Sequence, residues 1–265
     1  MKLLKRFMLP LIAVFLLSGC IEYNIKVKVN PDGSGVVKET VILGKGMVEM
    51  LNAFAAWGGE DAEEIDIYDE DELRRQANEY GEGVKFVEGK KVSDKGREGY
   101  TAIYKFNDIT KLRIDQDPDK KIPADFSEGE VDDDDPITFG FSKGIYSTLT
   151  IDIPGEFEAD DFDFDLEDED MEAEEMEELE DMLRDLRINI CVEINGSIAE
   201  TNATYIDDEE ITLMQFDMGK ILDNPAQYEY LKKQKPRTKE EVKELLDKIP
   251  GLKIELENKV KVKFK

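Results

Sequence analysis

An α+β fold is predicted for this chain: a largely antiparallel β-sheet with helices packed on one face and an acidic helical insert. Three observations carry that expectation. Apolar and polar residues alternate with a period of two in segment after segment, and tight Gly/Asp turns join several of these segments. Helical spacing is confined to separate blocks. No regular strand–helix–strand rhythm of a parallel sheet runs through the chain.

Ile21, Tyr23, Ile25, Val27 and Val29 alternate without a fault with Glu22, Asn24, Lys26, Lys28 and Asn30, the pattern of a half-buried strand. Pro31-Asp32-Gly33-Ser34-Gly35 supplies turn chemistry and Val36 to Leu43 is a second β-rich run, so the pair reads as a hairpin. Met47, Met50, Leu51, Phe54 and Trp57 then recur at helical spacing, and Gly58-Gly59 ends the run. That helix suits packing on a sheet, and equally the lining of a lipid pocket. Asp71 to Tyr80 reads as a short helix stopped by Gly81. Val84 to Val92 and Tyr100 to Phe106 read as strands joined by Ser93-Asp94-Lys95-Gly96, followed by a helical turn or a strand continuation over 107–114.

Asp115 to Pro136 is acidic and broken by three prolines, the composition of a long surface loop. Ile137 to Phe141 and Tyr146 to Ile153 form a further strand pair. Gly155 to Leu186 holds eighteen acidic residues against the single basic Arg184. Its first part alternates Phe162, Phe164 and Leu166 with aspartates. Its second part places Met176, Leu179, Met182, Leu183 and Leu186 at helical spacing, an amphipathic helix with a solvated acidic face.

Ile188 to Ile194 alternates again, and Ile211 to Phe216 is a further antiparallel run. Gly219 to Tyr230 reads as helical with a break at Pro225. Thr238 with Glu241 three residues on makes a capping box, and Val242, Leu245, Leu246 and Ile249 give that helix its apolar face before Pro250-Gly251. Leu252, Ile254 and Leu256, then Val260, Val262 and Phe264, alternate as closing strands.

Lys2, Lys5 and Arg6 precede an apolar run from Phe7 to Leu17, the layout of a secretory signal peptide. The run is shorter than the ~20 residues that cross a bilayer. Leu17-Ser18-Gly19-Cys20 resembles the lipobox of bacterial lipoproteins. The resemblance implies removal of residues 1–19 and attachment of diacylglycerol to the thiol of Cys20, with a further acyl chain such as palmitate on its amine. Two such chains hold a protein stably, at about 0.8 kcal/mol per buried CH₂. A plain secretory signal, or a weak membrane helix with Cys20 incidental, is the other reading. Residues 20–265 then form a single α+β envelope domain, with 155–187 as an acidic strand/helix segment and 232–265 as a C-terminal helix–strand unit. Ile21 stands where many lipoproteins retained in the inner membrane of enteric bacteria carry Asp, which points to the outer membrane in a host with two.

The net charge is −28. Nucleic acid, whose phosphates attract Lys and Arg, is excluded as a partner on that ground. Histidine is absent, which removes Ser-His-Asp and Cys-His catalysis and the usual zinc sites. With Cys20 lipidated, Cys191 has no partner in the chain. It lies opposite the apolar side of its strand, as a small side chain packed under a loop or helix, or else as a reactive thiol that no neighbouring basic residue supports.

The hairpin turn Asp32-Gly33-Ser34-Gly35 directly after a lipidated cysteine is one point of family likeness. Gly196-Ser197-Ile198-Ala199-Glu200-Thr201-Asn202-Ala203 is another. Together they resemble uncharacterised bacterial lipoproteins of the LppM-type domain, over less than half of the chain. In that family a G-x-I-x-x-T-N-A segment joins two strands. The acidic segment 155–186 and the C-terminal unit depart from the family's pattern. The resemblance implies a cell-envelope lipoprotein that binds lipid, and it implies no catalysis.

Calcium is the most testable site idea. Asp161, Asp163 and Asp165 take the first, third and fifth positions of a twelve-residue loop ending in Glu172, but Leu166 occupies the glycine position of an EF-hand. Asp115, Asp117 and Asp119 fail in the same way, with Lys120 at the glycine position. No cofactor and no catalytic residue is assigned. The functional expectation is a non-enzymatic, membrane-anchored lipoprotein that binds a lipid or an envelope protein. The alternatives are an assembly lipoprotein with a divalent-cation-binding acidic surface and, behind it, a carboxylate-based hydrolase.

Overall fold

The computed structural model describes residues 21–57, 67–118, 135–155, 180, 183–234, 236 and 238–265. Strand β1 (Ile21–Val29) buries every odd residue and leaves every even one half-exposed, as its alternation requires. Each fully buried Ile or Val of this kind stabilises by about 1.5–3 kcal/mol. β2 (Gly35–Leu43) pairs antiparallel with it from Ile21 opposite Leu43 to Val29 opposite Gly35. The turn between them is held locally. Asp32 accepts from the Ser34 amide at 3.0 Å and the Ser34 hydroxyl at 2.7 Å, and Gly33 takes the left-handed φ of +87° that the turn needs.

Helix α1 (Lys45–Trp57) follows and buries Met47 and Leu51. α2 (Glu70–Gln76) begins where the Asp69 carboxylate accepts from the amides of Asp71 and Glu72. The predicted helix is shorter than 71–80: its end unwinds into turns that carry Tyr80 inward. β3 (Lys85–Asp94) and β4 (Arg97–Phe106) form the next hairpin through Lys95-Gly96, both at positive φ. A 3-10 turn at Ile109–Lys111 and the two-residue β5 (Arg113–Ile114) then realise both expected forms of 107–114 in succession.

The second half supplies β6 (Ile137–Ser142), β7 (Ser147–Asp152), β8 (Arg187–Ile194), β9 (Ile198–Thr201), β10 (Ile206–Asp207) and β11 (Glu210–Asp217). Short helices α3 (Met218–Leu222), α4 (Pro225–Lys232) and α5 (Lys239–Leu246) lead to β12 (Leu252–Ile254) and β13 (Lys259–Phe264). Pro225 opens α4, and Thr238 caps α5 by accepting from the Glu241 amide at 3.2 Å, as read from the sequence.

The single, largely antiparallel sheet expected is corrected to two sheets. One is mixed and eight-stranded, in the order β10-β11-β8-β1-β2-β4-β3 with β12 also on β11; the other is antiparallel, β5-β6-β7-β13-β9. The mixed character comes from β8, which runs parallel to β1 from Glu22 opposite Arg187 to Val29 opposite Ile194. A parallel pair needs a long crossover, and residues 30–186 provide it. One hydrophobic core joins Ile25, Val27 and Tyr104 of the mixed sheet with Leu149, Ile151, Val262 and Phe264 of the antiparallel one. The Gly196–Ala203 segment leaves β8, forms β9 in the other sheet and so connects the two layers.

Candidate functional site

Cys20 and the four calcium candidates Asp161, Asp163, Asp165 and Glu172 lie outside the described residues, as does Asp119. Asp115 and Asp117 are described, and the Asp115 carboxylate accepts from the Asp117 amide at 3.0 Å. Among the described residues no group of three or more acidic or thiol side chains is arranged to hold a metal ion.

The feature that sequence reasoning passed over is Glu39. It occupies the inward register of β2, between Val37 and Val41, and is fully buried. The β ladders set it opposite Ile25 on one side and Ala102 on the other. Four buried tyrosines surround this carboxylate: Tyr23 from β1, Tyr100 and Tyr104 from β4, and Tyr80 from the turn after α2. Tyr80 and Tyr104 pack with ring centroids 4.8 Å apart, and Phe86 meets the Tyr104 ring edge-on at 5.9 Å. Tyr23 donates to the backbone carbonyl of Asp115 at 3.3 Å, and the Tyr100 hydroxyl, in a residue 3 % exposed, meets no hydrogen-bond partner.

Burial raises the pKa of all four phenols, and the negative charge of Glu39 raises them further. They remain protonated hydrogen-bond donors across the physiological range. The result is one buried carboxylate ringed by neutral donors and aromatic faces. The alternation of 35, 37, 39, 41 and 43 contained the signal, since a strand that buries odd residues buries Glu39 with them.

A second buried carboxylate, Glu255, is fully engaged. It accepts from the Thr204 amide at 2.8 Å, the Thr204 hydroxyl at 2.5 Å and the Glu257 amide at 2.9 Å. Asn202 beside it accepts from the Lys261 amide at 2.6 Å and donates to the Lys259 carbonyl at 3.1 Å. The Asn and Thr of the Gly196–Thr204 stretch are therefore structural ties to β13 and the chain before it.

The outer face of the mixed sheet carries a ladder of paired charges. Lys26 meets Glu210 at 2.6 Å, Lys28 meets Glu193 at 2.6 Å, and Arg97 meets Glu22 at 2.7 Å. Cys191 lies beneath this layer, packed as expected, though under side chains of its own sheet rather than a loop or helix. Burial pushes its thiol up to about 12, with Glu210 adding to the shift, so the reactive-thiol alternative gains no support. The surface carries an acidic hollow of about 490 Å³ lined by Glu193, Asp207, Asp208 and Glu210, and another of about 540 Å³ lined by Arg113, Asp152 and Lys259.

No family model matches this sequence, and no curated protein matches it significantly. Among solved structures, the NMR structure of the folded domain of LppM from Mycobacterium tuberculosis is similar at 9 % identity and a TM-score of 0.31, covering 73 % of this chain and 80 % of that one. That likeness assigns no residue a role. Among the described residues no helix is long and apolar enough to cross a membrane.

Proposed function

We propose that this chain is a lipid-anchored, non-enzymatic binding domain of the bacterial envelope, with Cys20 as the lipidated residue and a lipid or an envelope protein as ligand. The observation that carries the reading is Ile21. It is fully buried, it opens a central strand of the larger sheet, and it follows Cys20 directly. Adjacent Cα atoms lie about 3.8 Å apart, so the acyl chains hang from the sheet itself and the domain has no stalk. In a host with two membranes its place is the outer one, because Ile21 is not the retention Asp. The non-enzymatic reading draws on the absence of histidine and on the separate engagement of Glu39, among phenols, and Glu255, by Thr204 and the Glu257 amide.

Cell fractionation tests the anchor. Cys20→Ser should move the protein from the membrane to the soluble fraction without altering its circular dichroism; a variant that stays with the membrane contradicts the reading. Extraction of the wild-type protein, followed by lipid analysis and in-cell cross-linking, should return a bound lipid or an envelope partner. Finding neither contradicts the binding role.

A further inference from the structure

The end of the molecule opposite Ile21 carries two exposed apolar points in opposite electrical settings. One is the tip of the β6–β7 hairpin, where Ile145 is 95 % exposed and Tyr146 44 %. Lys143 is exposed beside them and forms no ion pair with a described residue, and the Lys265 ammonium lies 5.6 Å from the centroid of the Tyr146 ring. Asp32, the carboxylate that feels the Lys143 charge, already accepts from the amide and hydroxyl of Ser34. The other point is Ile206, 45 % exposed, which precedes the acidic hollow in the chain. Asp207, Asp208 and Glu209 line that hollow, are exposed, and form no ion pair with a described residue. Tip and hollow are neighbours on one face. Ser197, which lines the hollow, exchanges backbone hydrogen bonds of 2.8 and 3.2 Å with Lys265, and Ser147 pairs opposite Phe264 directly after Tyr146.

We propose that this face pairs two copies of the chain about a two-fold axis near Lys265 and Ser197, with Ile145 and Lys143 of each copy seated in the acidic hollow of the other. A two-fold contact requires a surface that is its own complement, residue i meeting j while j meets i. A basic apolar tip beside an acidic hollow with an apolar neighbour meets that requirement, because the rotation brings each onto the other. The net charge of −28 repels copies at long range, but physiological salt screens charges beyond about 8 Å, so the local pattern decides the contact. A bilayer holding the start of β1 is not the occupant. The Ser147 hydroxyl donates to the Pro31 carbonyl at 2.7 Å, which sets the tip beside the far end of β1, about 26 Å from Ile21 at about 3.3 Å per residue. The pairing goes beyond the envelope-binding reading and does not depend on it, since Ile21 lies outside the contact.

Site-directed cross-linking of the full-length chain in intact cells tests the contact. Ile145→Cys and Asp208→Cys, carried on two differently tagged copies expressed together, should be joined by a short bismaleimide into a mixed dimer. Either variant expressed alone should give far less product. Cys191 is buried and does not compete for the reagent. Lys143→Glu in both copies should lower the mixed yield about tenfold, and adding Asp207→Lys, which returns an opposite charge to the hollow, should restore it. All these positions are exposed, so the variants should keep the circular dichroism of the parent. No mixed product, a yield untouched by Lys143→Glu, or a tip joined to another protein of the cell instead of to Asp208→Cys would each overturn the proposal. None of these outcomes bears on the membrane fractionation of Cys20→Ser, so the two readings fail separately.

Discussion

Tyr104 stands diagonally across the β2–β4 ladder from Glu39, whose direct partner is Ala102, and the Glu39 charge helps hold the Tyr104 phenol protonated. A buried carboxylate set among phenols is costly to remove, because the groups arranged around it are left behind. Glu39→Ala should therefore lose about 1–3 kcal/mol in urea unfolding. Glu39→Gln, which keeps an acceptor, should lose less. An alanine variant as stable as the parent would show that the carboxylate contributes nothing to the fold.

The same cluster sets the alkaline limit of the protein. In the unfolded chain the thiol titrates near 8.5 and the phenols near 10. In the fold, burial raises Tyr23, Tyr80, Tyr100 and Tyr104 well above that, and Cys191 to about 12. Between those values the unfolded chain has released protons that the folded chain still binds, so stability is complete below about pH 8 and falls as pH rises. Each of these phenols should remove up to about 1.4 kcal/mol per pH unit above 10. Urea midpoints measured across this range should drop steeply from pH 10 upward, and Cys191→Ala should soften the first part of the decline.

Cys191 should also resist chemistry. A thiol reagent at neutral pH should label it only when the chain unfolds, at a rate that follows denaturant concentration. Rapid labelling of the native protein would mean that the Lys26–Glu210 layer above the thiol opens readily.

Close packing leaves no room for a side chain at Gly35. A Cβ added to Gly35 would come within 2.0 Å of the Lys28 carbonyl oxygen and 2.5 Å of the Phe106 ring. Gly35→Ala should cost about 1–3 kcal/mol, the usual range for overpacking, and should lower the thermal midpoint.

Much of this fold was legible because burial imposes a period. The alternation from Ile21 to Val29 gave β1 residue by residue, and the Thr238 cap and the Pro225 break fell where they were read. Direction and partnership leave no such trace. A parallel β8 alternates like an antiparallel one, so its place beside β1 was hidden. Leu252 to Ile254 and Lys259 to Phe264 look alike in pattern, yet the four residues between them carry the chain from one sheet to the other. Glu39 was readable in principle. Its odd-numbered place among Val37, Val41 and Leu43 implies an inward carboxylate, which the β-rich composition of the run alone does not reveal.

The most direct test of the whole account is intact mass analysis of the protein isolated from its native membrane. The expected species is a chain beginning at Cys20, heavier by a diacylglyceryl group on the thiol, with or without a third acyl chain on the amine. A mature chain beginning elsewhere, or Cys20 with a free thiol, would contradict it and detach the buried strand at Ile21 from any role at the bilayer.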